Sequence, residues 1–272
     1  SGLLRVRMLS MNDAHIYCTK EQIADEIKAV ISMITEYYKV FGFEDYYFRL
    51  SLWDPKSSGK YINEPENWKY AEEQLRKVLK ELKVKFVEEK DEAAFYGPKI
   101  DIQFKTVLGR EESMSTVQLD FAAKSRFNFS YTDTKNQKNK EVFVIHRAPL
   151  STHERFMAFL IEHYAGKWPL WLSPVQVAIL NVADRHLDYA NKIKGEMEEV
   201  GLRVDVHSDS LTIPKKVRNA QLAQINYILV VGDKEVENGT VNVRTRDNKV
   251  HGEKKVNLFA QELVDEVKSR RR

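Results

Sequence analysis

The sequence predicts two successive domains: an α+β domain built on an antiparallel sheet, then a small α/β domain with a mostly parallel sheet. Up to residue 173, long stretches of alternating hydrophobicity have few helical stretches between them, which favours antiparallel pairing. A short segment at 168–174, which contains Pro169 and Pro174, has the composition of a linker. Beyond it, strand patterns alternate with helical patterns over about 100 residues, as in parallel sheets covered by helices. We place the first domain at residues 1–170 and the second at 174–272.

Alternation and helical spacing define the elements of the first domain. The chain opens on a predicted strand, since Leu4, Val6 and Met8 alternate with arginines, and a second alternation runs through residues 13–18. Residues 19–22 match a capping box, and the helix that they begin has its stop signal at Gly42. The remaining elements are predicted as strands at 46–52, 84–89, 99–106, 114–121 and 142–147, a hairpin at 127–140, and helices at 68–82 and 151–166.

The second domain alternates strands and helices. A turn at Asn238 and Gly239 is expected to join its last two strands. The predicted strands are at 175–181, 203–206, 227–231 and 240–245, and the predicted helices are at 186–200, 215–224 and 258–270.

Composition excludes several classes of protein. Hydrophobic residues make up 43% and charged residues 31% of the 272 residues. The hydrophobic fraction suffices for a core, and such a composition is unlike that of a disordered chain. No apolar run approaches the roughly 18 residues of a membrane span, and the first residues lack a signal-peptide pattern, so no membrane contact is expected. The single cysteine, Cys18, cannot form an internal disulfide and favours a cytoplasmic location. With a net charge of +3, any RNA contact must come from local patches.

Charged side chains share predicted strand faces near the N-terminus. Arg5 and Arg7 lie two residues apart, as do Asp13 and His15, and residues two apart in a strand point the same way. Such a face suits an anion or a metal ion, and it suits a solvated outer face equally well. The same choice between a cleft and solvent applies to a second alternating polar set, Thr116, Gln118 and Asp120.

Arg155 occupies an unfavourable position for a cation. Residues 151–154 match a capping box, so Glu154 is expected to cap a helix, and Arg155 then lies in the first turn, where the helix dipole disfavours positive charge. This placement indicates an anionic ligand. The sequence has no G-x-x-x-x-G-K-[ST], G-x-G-x-x-G or H-E-x-x-H motif, so a nucleotide site would have to hold phosphates with arginines on an antiparallel sheet.

Short segments along the chain stand in the order and spacing of one known family. They are Arg-Val-Arg at 5–7 with Asn-Asp-Ala-His-Ile at 12–16, Phe-Tyr-Gly-Pro-Lys-Ile at 95–100, Thr-Val-Gln-Leu-Asp-Phe at 116–121, His-Arg-Ala at 146–148 with Glu-Arg-Phe at 154–156, Pro-Val-Gln-Val at 174–177, and Val-Gly-Asp-Lys-Glu-Val at 231–236. Over essentially all 272 residues the chain resembles the threonyl-tRNA synthetases, a class IIa family. The resemblance implies the C-terminal part of a class II catalytic domain, from motif 2 to motif 3, followed by an anticodon-binding domain.

The resemblance also implies an activity and its partners. Members of the family are aminoacyl-tRNA synthetases that serve protein biosynthesis, with threonine–tRNA ligase activity. It activates threonine with ATP to threonyl-adenylate and transfers the amino acid to tRNA(Thr). We therefore expect ATP with Mg²⁺ as a substrate, a bound Zn²⁺ ion, and a homodimer for the full-length protein.

The resemblance assigns roles to individual residues. His15 and His146 match two histidine ligands of the zinc ion, and Asp13 matches the residue that accepts the hydroxyl of threonine. The remaining matches are Tyr96 and Gln118 to substrate-binding residues, Arg5 and Arg155 to catalytic arginines that hold the ATP phosphates, and Glu235 and Arg244 to residues that read anticodon bases.

The chain also departs from the family pattern. Met11, Ser113 and Ser151 stand where the family often has glutamine, glutamine and glycine. The third zinc ligand, a cysteine, and motif 1 lie upstream of Ser1 in the family. The sequence is therefore expected to be a fragment that forms no threonyl-adenylate at a useful rate by itself. The alternative is a non-catalytic tRNA-binding or regulatory paralogue, and an upstream Cys-Pro-Gly-His-like segment with a Phe-Arg-x-Glu strand would favour the enzyme.

Overall fold

A six-stranded sheet forms the framework of the first unit of the protein, Ser1–Glu162. The computed structural model describes residues 2–57, 59–106, 109–139 and 142–271. The elements in chain order are β1 (Ala14–Cys18), α1 (Ile23–Phe41), β2 (Tyr46–Leu52), α2 (Pro65–Glu81), β3 (Phe86–Lys90), β4 (Lys99–Lys105), β5 (Glu111–Asp120), α3 (Ala123–Arg126), β6 (Tyr131–Thr132), β7 (Lys138–Asn139), β8 (Phe143–Ala148) and α4 (His153–Tyr164).

The sheet is antiparallel except at one edge. Its strand order is β1-β8-β5-β4-β2-β3, and only β2 and β3 run parallel, while β6 and β7 form a separate two-stranded ribbon. Helix α1 begins at Ile23 and ends where Gly42, at a φ of 73°, donates back to the carbonyl of Lys39. Its buried residues recur at three and four, and this spacing confirms the predicted helix and its glycine stop.

The opening strand predicted from Leu4, Val6 and Met8 is wrong. Residues Gly2–Leu4 form a 3₁₀ turn, and within the described chain β1 pairs with β8 alone. Alternation makes a segment suitable for a strand, but a strand also needs a neighbour to supply its ladder of hydrogen bonds. Instead, Ser10 accepts a hydrogen bond through its carbonyl from the N–H of His153 at 2.7 Å, which ties this segment to the start of α4.

The start of α4 differs from the predicted capping box. The hydroxyl oxygen of Thr152 accepts a hydrogen bond from the N–H of Arg155 at 3.1 Å, so Thr152 caps the helix. The carboxylate of Glu154 instead accepts from the N–H of Ser10 at 3.3 Å. Glu154 therefore holds the N-terminal segment and does not cap, because an acceptor near the first turn can serve whichever N–H lies closest.

The polar hairpin predicted at 127–140 is present as the ribbon of β6 and β7, although Lys140 lies outside the described residues. Asp133 organises its tip, since one carboxylate oxygen accepts from the N–H groups of Lys135 and Gln137 at 2.9 Å each. The sequence prediction missed the short helix α3 that precedes the ribbon.

The second unit, His163–Arg272, contains a five-stranded sheet with helices on both faces. Strands β10, β9 and β11 are parallel, β12 and β13 are antiparallel to their neighbours, and the order is β10-β9-β11-β12-β13. Together the two units confirm the predicted fold class. The elements of the second unit are β9 (Val177–Asn181), α5 (Leu187–Glu199), β10 (Val204–His207), α6 (Ile213–Leu222), β11 (Tyr227–Val231), α7 (Asp233–Asn238), β12 (Thr240–Thr245), β13 (Val250–Lys255) and α8 (Val256–Lys268).

The proline-containing segment 168–174 is fixed by hydrogen bonds within the second unit. The guanidinium of Arg246 donates to the carbonyls of Lys167 and Trp168 at 3.2 and 2.8 Å. The guanidinium of Arg203 donates to the carbonyls of Trp171 and Ser173 at 3.1 and 2.7 Å. A domain boundary at this segment stays a prediction. None of the helices in the described ranges has both the length and the apolar character of a membrane span.

Candidate functional site

A row of polar side chains crosses one face of the first sheet. His15 on β1 is paired with His146 on β8, His146 with Gln118 on β5, and Gln118 with Lys99 on β4. Paired residues of neighbouring strands point to the same side of a sheet, so these four side chains lie next to one another. Residues one position further along face the opposite way into the core, which explains why the apolar residues Ile145, Leu119 and Ile100 are fully buried.

The two histidines of this row are in ring contact. The ring centroids of His15 and His146 lie 4.5 Å apart, edge to face. Nε2 of His146 lies 3.0 Å from one carboxylate oxygen of Asp120, and the other oxygen accepts from the N–H groups of Ala122 and Ala123 at 2.8 Å each. Asp120 therefore fixes the orientation of the His146 ring while it also caps the start of α3.

Tyr96 lies over the same part of the sheet. Its ring centroid is 5.1 Å from that of His146, and its hydroxyl donates to the side-chain oxygen of Gln118. Burial, with smaller contributions from the nearby carboxylates of Asp120 and Asp13, raises the pKa of the Tyr96 phenol to about 12. The phenol therefore stays protonated near neutral pH and acts as a hydrogen-bond donor.

A glycine places Tyr96 against the sheet. A Cβ atom on Gly97 would lie 1.9 Å from the carbonyl oxygen of Leu119, which is closer than any real contact. The N–H of Leu119 donates in turn to the carbonyl of Pro98 at 3.0 Å. The loop that carries Tyr96 thus lies directly on β5, beside Gln118, and only glycine fits at this close approach.

A buried ionic network lies next to the row. One carboxylate oxygen of Asp101, which is 1% exposed, accepts from Lys99 at 2.8 Å, from Arg49 at 3.0 Å and from the hydroxyl of Ser51 at 2.8 Å. Sequence reasoning did not assign a role to these residues. The available signal was a carboxylate between Ile100 and Ile102, near the middle of an alternating strand.

Of the two predicted phosphate-binding residues, Arg155 contacts the backbone next to Arg5. The guanidinium Nε of Arg155 donates to the carbonyl of Leu4, the residue before Arg5, at 3.2 Å. Arg155 is half-buried in the first turn of α4, whereas Arg5 is exposed. Asp13 is exposed immediately before β1. The structure therefore keeps Arg155 in the unfavourable first-turn position that the sequence indicated.

His15 and His146 are the two residues that the resemblance matched to zinc ligands. Among the described residues, no group of three or more His, Cys, Asp or Glu is arranged to hold a metal ion. A catalytic zinc ion takes three protein ligands, so His15 and His146 alone are too few. Their chemistry nevertheless fits, because a zinc-bound histidine usually donates its other ring nitrogen to a carboxylate, as His146 can donate Nε2 to Asp120. The contact with Asp120 engages Nε2, so an ion bound to His146 would have to use Nδ1.

The two predicted anticodon residues lie on different elements of the second unit. Glu235 is in α7, where its carboxylate accepts from the N–H of Gly232 at 2.9 Å and so caps that helix. Arg244 is on β12, opposite Ile228. The prediction that a simple turn joins the two strands is wrong, because α7 intervenes and ends at Gly239 with a φ of 63°. Glu235 and Arg244 form no ion pair in the described structure, and they lie toward opposite ends of β12.

Two family models match the chain. Residues 1–164 match the tRNA synthetase class II core domain (G, H, P, S and T), and residues 176–270 match the anticodon binding domain. The chain therefore belongs to the class II tRNA synthetases, and the family inferred from its motifs is confirmed.

Its curated relatives include the threonine–tRNA ligases of Clostridium botulinum (strain Eklund 17B / Type B), 43% identical over 272 residues, and of Geobacillus kaustophilus, 46% identical over 272 residues. Each alignment covers 100% of this chain and 42% of the relative, so the chain spans about two fifths of their length.

Solved structures agree with this assignment. The RNA binding domain of the threonyl-tRNA synthetase from Cryptosporidium parvum Iowa II superposes with a TM-score of 0.88 at 35% identity, over 97% of this chain and 66% of that one. A putative threonyl-tRNA synthetase from Aeropyrum pernix superposes with a TM-score of 0.78 at 27% identity, over 99% and 66%.

Proposed function

We propose that the protein is a threonine–tRNA ligase, which activates threonine with ATP and transfers it to tRNA(Thr). The observation that carries this proposal is the row of His15, His146 and Gln118 with Tyr96 over it, on a class II core whose curated relatives are threonine–tRNA ligases. The row offers ring nitrogens, an amide and a phenol on one face of a rigid sheet. These groups suit a small polar amino acid better than an apolar one.

The row is proposed as the threonine pocket. His15 and His146 would hold a zinc ion as two of its three ligands, and the ion would bind the amino group and hydroxyl of threonine. Asp13 would accept a hydrogen bond from the substrate hydroxyl, and Tyr96 and Gln118 would line the pocket. A site that hydrogen-bonds a hydroxyl rejects an analogue without one far more strongly than an apolar pocket can, so valine would be excluded.

The start of α4 is proposed as the ATP site. Arg155, held by the carbonyl of Leu4, would present its remaining guanidinium N–H groups to phosphate oxygens, and Arg5 would bind from the adjacent backbone segment. ATP would enter with Mg²⁺. The two arginines would stabilise the negative charge that develops as the threonine carboxylate attacks the α-phosphorus and pyrophosphate leaves.

The second unit is proposed to read the anticodon through Glu235 and Arg244. Single-stranded RNA bases expose their edges to such side chains, and arginine is the commonest partner of base-edge acceptors. The proposal includes a homodimer, which rests on the resemblance, and a cytoplasmic location, which rests on the single cysteine and its burial.

Threonine-dependent exchange between ATP and pyrophosphate tests the catalytic proposal on the full-length protein. We expect exchange with threonine and at least 100-fold less with valine, since the pocket would leave polar groups unpaired. His146→Ala should abolish threonine-dependent exchange, and His207→Ala on β10 is the matched control that should retain it. Exchange driven equally by valine, or undiminished in His146→Ala, would refute the assignment of this pocket.

A further inference from the structure

We infer that Asn242 is a specificity-determining residue of the second unit: its side-chain oxygen accepts a hydrogen bond from an N–H group of the RNA base that Arg244 holds. The inference rests on the proposed function, because it assumes that Arg244 contacts an anticodon base. It adds a residue that the sequence motifs did not indicate.

Asn242 and Arg244 lie side by side on one face of β12. They are two residues apart in a regular strand, so their side chains point to the same side. Their partners on β11 are Val230 and Ile228, which belong to or border the apolar cluster under α6. On the other side of β12, the pairing with β13 shifts register between Val243 and Arg244. This irregularity is a β-bulge, a feature often found beside binding sites.

Each of the two side chains holds a polar atom that has no partner. Oδ1 of Asn242 and Nε of Arg244 are covered by neighbouring atoms, although both side chains are partly exposed, and neither atom makes a hydrogen bond within the described structure. Folded proteins satisfy nearly all buried polar atoms, so each exception requires an explanation. An orphaned acceptor and an orphaned donor on adjacent side chains are explained together by a ligand that offers both an N–H group and an acceptor.

The cross-strand carboxylate does not satisfy Asn242. Glu253, the cross-strand neighbour of Asn242 on β13, accepts from Lys234 at 2.7 Å, from the hydroxyl of Thr240 at 2.7 Å and from the amide of Asn238 at 2.8 Å. These contacts, with Lys234 first, lower the pKa of Glu253 to about 2. Glu253 is therefore a charged acceptor engaged by donors from α7 and β12, and it has no donor to offer to Oδ1 of Asn242.

The position of Asn242 suits recognition of a base. It lies on β12 between Arg244 and the end of the strand where α7 carries Glu235. The Watson–Crick edge of every base presents a donor next to an acceptor, and it is free for contact only in single-stranded RNA. The guanidinium of Arg244 has only donors. To bind such an edge, the site also needs an acceptor beside Arg244, and Oδ1 of Asn242 is one.

The test is the dissociation constant of the full-length protein for a tRNA(Thr) transcript and for three transcripts, each changed at one anticodon position, all at one salt concentration. Asn242→Ala should weaken binding of the unchanged transcript about tenfold and should abolish discrimination at one anticodon position, as loss of one base contact does. Asn242→Asp keeps the acceptor and should retain discrimination, although its charge weakens binding of all four transcripts alike. Asn219→Ala, exposed on α6, is the control and should match the unchanged protein.

Several outcomes would overturn the inference. If Asn242→Ala weakens binding of all four transcripts by the same factor, the residue supports the local structure or a phosphate contact and does not read a base. If Arg244→Ala loses discrimination at one position while Asn242→Ala keeps it, Asn242 has no reading role and the proposed function stands. If Arg244→Ala also keeps discrimination, the anticodon role proposed for Arg244 fails together with the inference. Thermal unfolding of Asn242→Ala should show no loss of stability, because the substitution removes an unsatisfied acceptor.

Discussion

Gly97, in the loop that carries Tyr96, lies directly on the backbone carbonyl of Leu119 in the central strand β5. The contact leaves no room for a side chain, and it sets the height of Tyr96 above Gln118. The position of a site residue thus depends on the absence of a Cβ atom in its neighbour.

Gly97→Ala should displace this loop from β5. The added methyl group would meet backbone and not a flexible side chain, so we expect a loss of about 1–3 kcal/mol in the free energy of unfolding and a loss of threonine binding. Urea unfolding and ATP–pyrophosphate exchange measure the two effects. Gly195→Ala is the matched control, since nothing lies within 4 Å of its Cβ position in α5 and alanine favours a helix. Equal stability of the two variants would contradict the contact.

Asp101→Ala should strongly destabilise the first unit. The substitution removes the buried carboxylate that the half-buried cations Lys99 and Arg49 share. Breaking a fully buried ionic pair typically costs about 3–5 kcal/mol, and we expect about 3 kcal/mol here because both cations are partly exposed and Arg49 also contacts Glu92. Chemical denaturation measures this cost. The control is Glu36→Ala, whose exposed pair with Lys39 should contribute about 0.5 kcal/mol or less. A loss no larger than that of the control would mean that water reaches the network.

Arg246→Ala should expose the bond after Lys167 to trypsin. Arg246 holds the carbonyls of Lys167 and Trp168, and cleavage requires this segment to open locally. Loss of charged hydrogen bonds should raise the cleavage rate about tenfold, with a product that begins at Trp168. Arg218→Ala, exposed on α6, should cleave like the unchanged protein. Cleavage scattered through residues 175–272 would contradict both the fixed segment and the predicted domain boundary.

Cys18 should react slowly with thiol reagents. It is 6% exposed on the face of β1 opposite to His15, and burial raises its pKa to about 11, with Glu26 as a smaller cause. Only the thiolate is nucleophilic, so labelling near pH 7.5 should be on the order of 100-fold slower than for an exposed cysteine. Because the folded thiol keeps its proton where the unfolded thiol loses it, stability should fall as pH rises above about 8.5. Cys18→Ala should remove this slope, and rapid labelling at neutral pH would contradict the burial.

The elements predicted correctly are those whose signals are local. Helix α1 was defined by residues three and four apart and by Gly42, all within one element. The opening strand failed because pairing depends on a neighbour that alternation does not specify. Helix α7 was missed because it is only six residues long and because Asn238, its last residue, and Gly239, its C-cap, also match a turn.

The site was only partly accessible from sequence. The contact between His15 and His146 depends on the register of β1 against β8, which no local pattern encodes, so the resemblance alone connected them. The Asp101 network and the orphaned oxygen of Asn242 depend on what surrounds a side chain in three dimensions. Such environments are set by packing of distant segments, and a residue's neighbours in sequence do not reveal them.

The edge strands β3 and β13 affect the tendency of the protein to aggregate during folding. β3 ends in Glu88, Glu89 and Lys90 and is exposed over most of its length, and β13 has a bulge and then ends in charged residues. An unpaired strand edge is a template for intermolecular β-pairing, and charges or bulges on it make such pairing costly. These two edges therefore disfavour growth of the sheets into aggregates while the chain is newly made and its slow, long-range strand pairings are still forming.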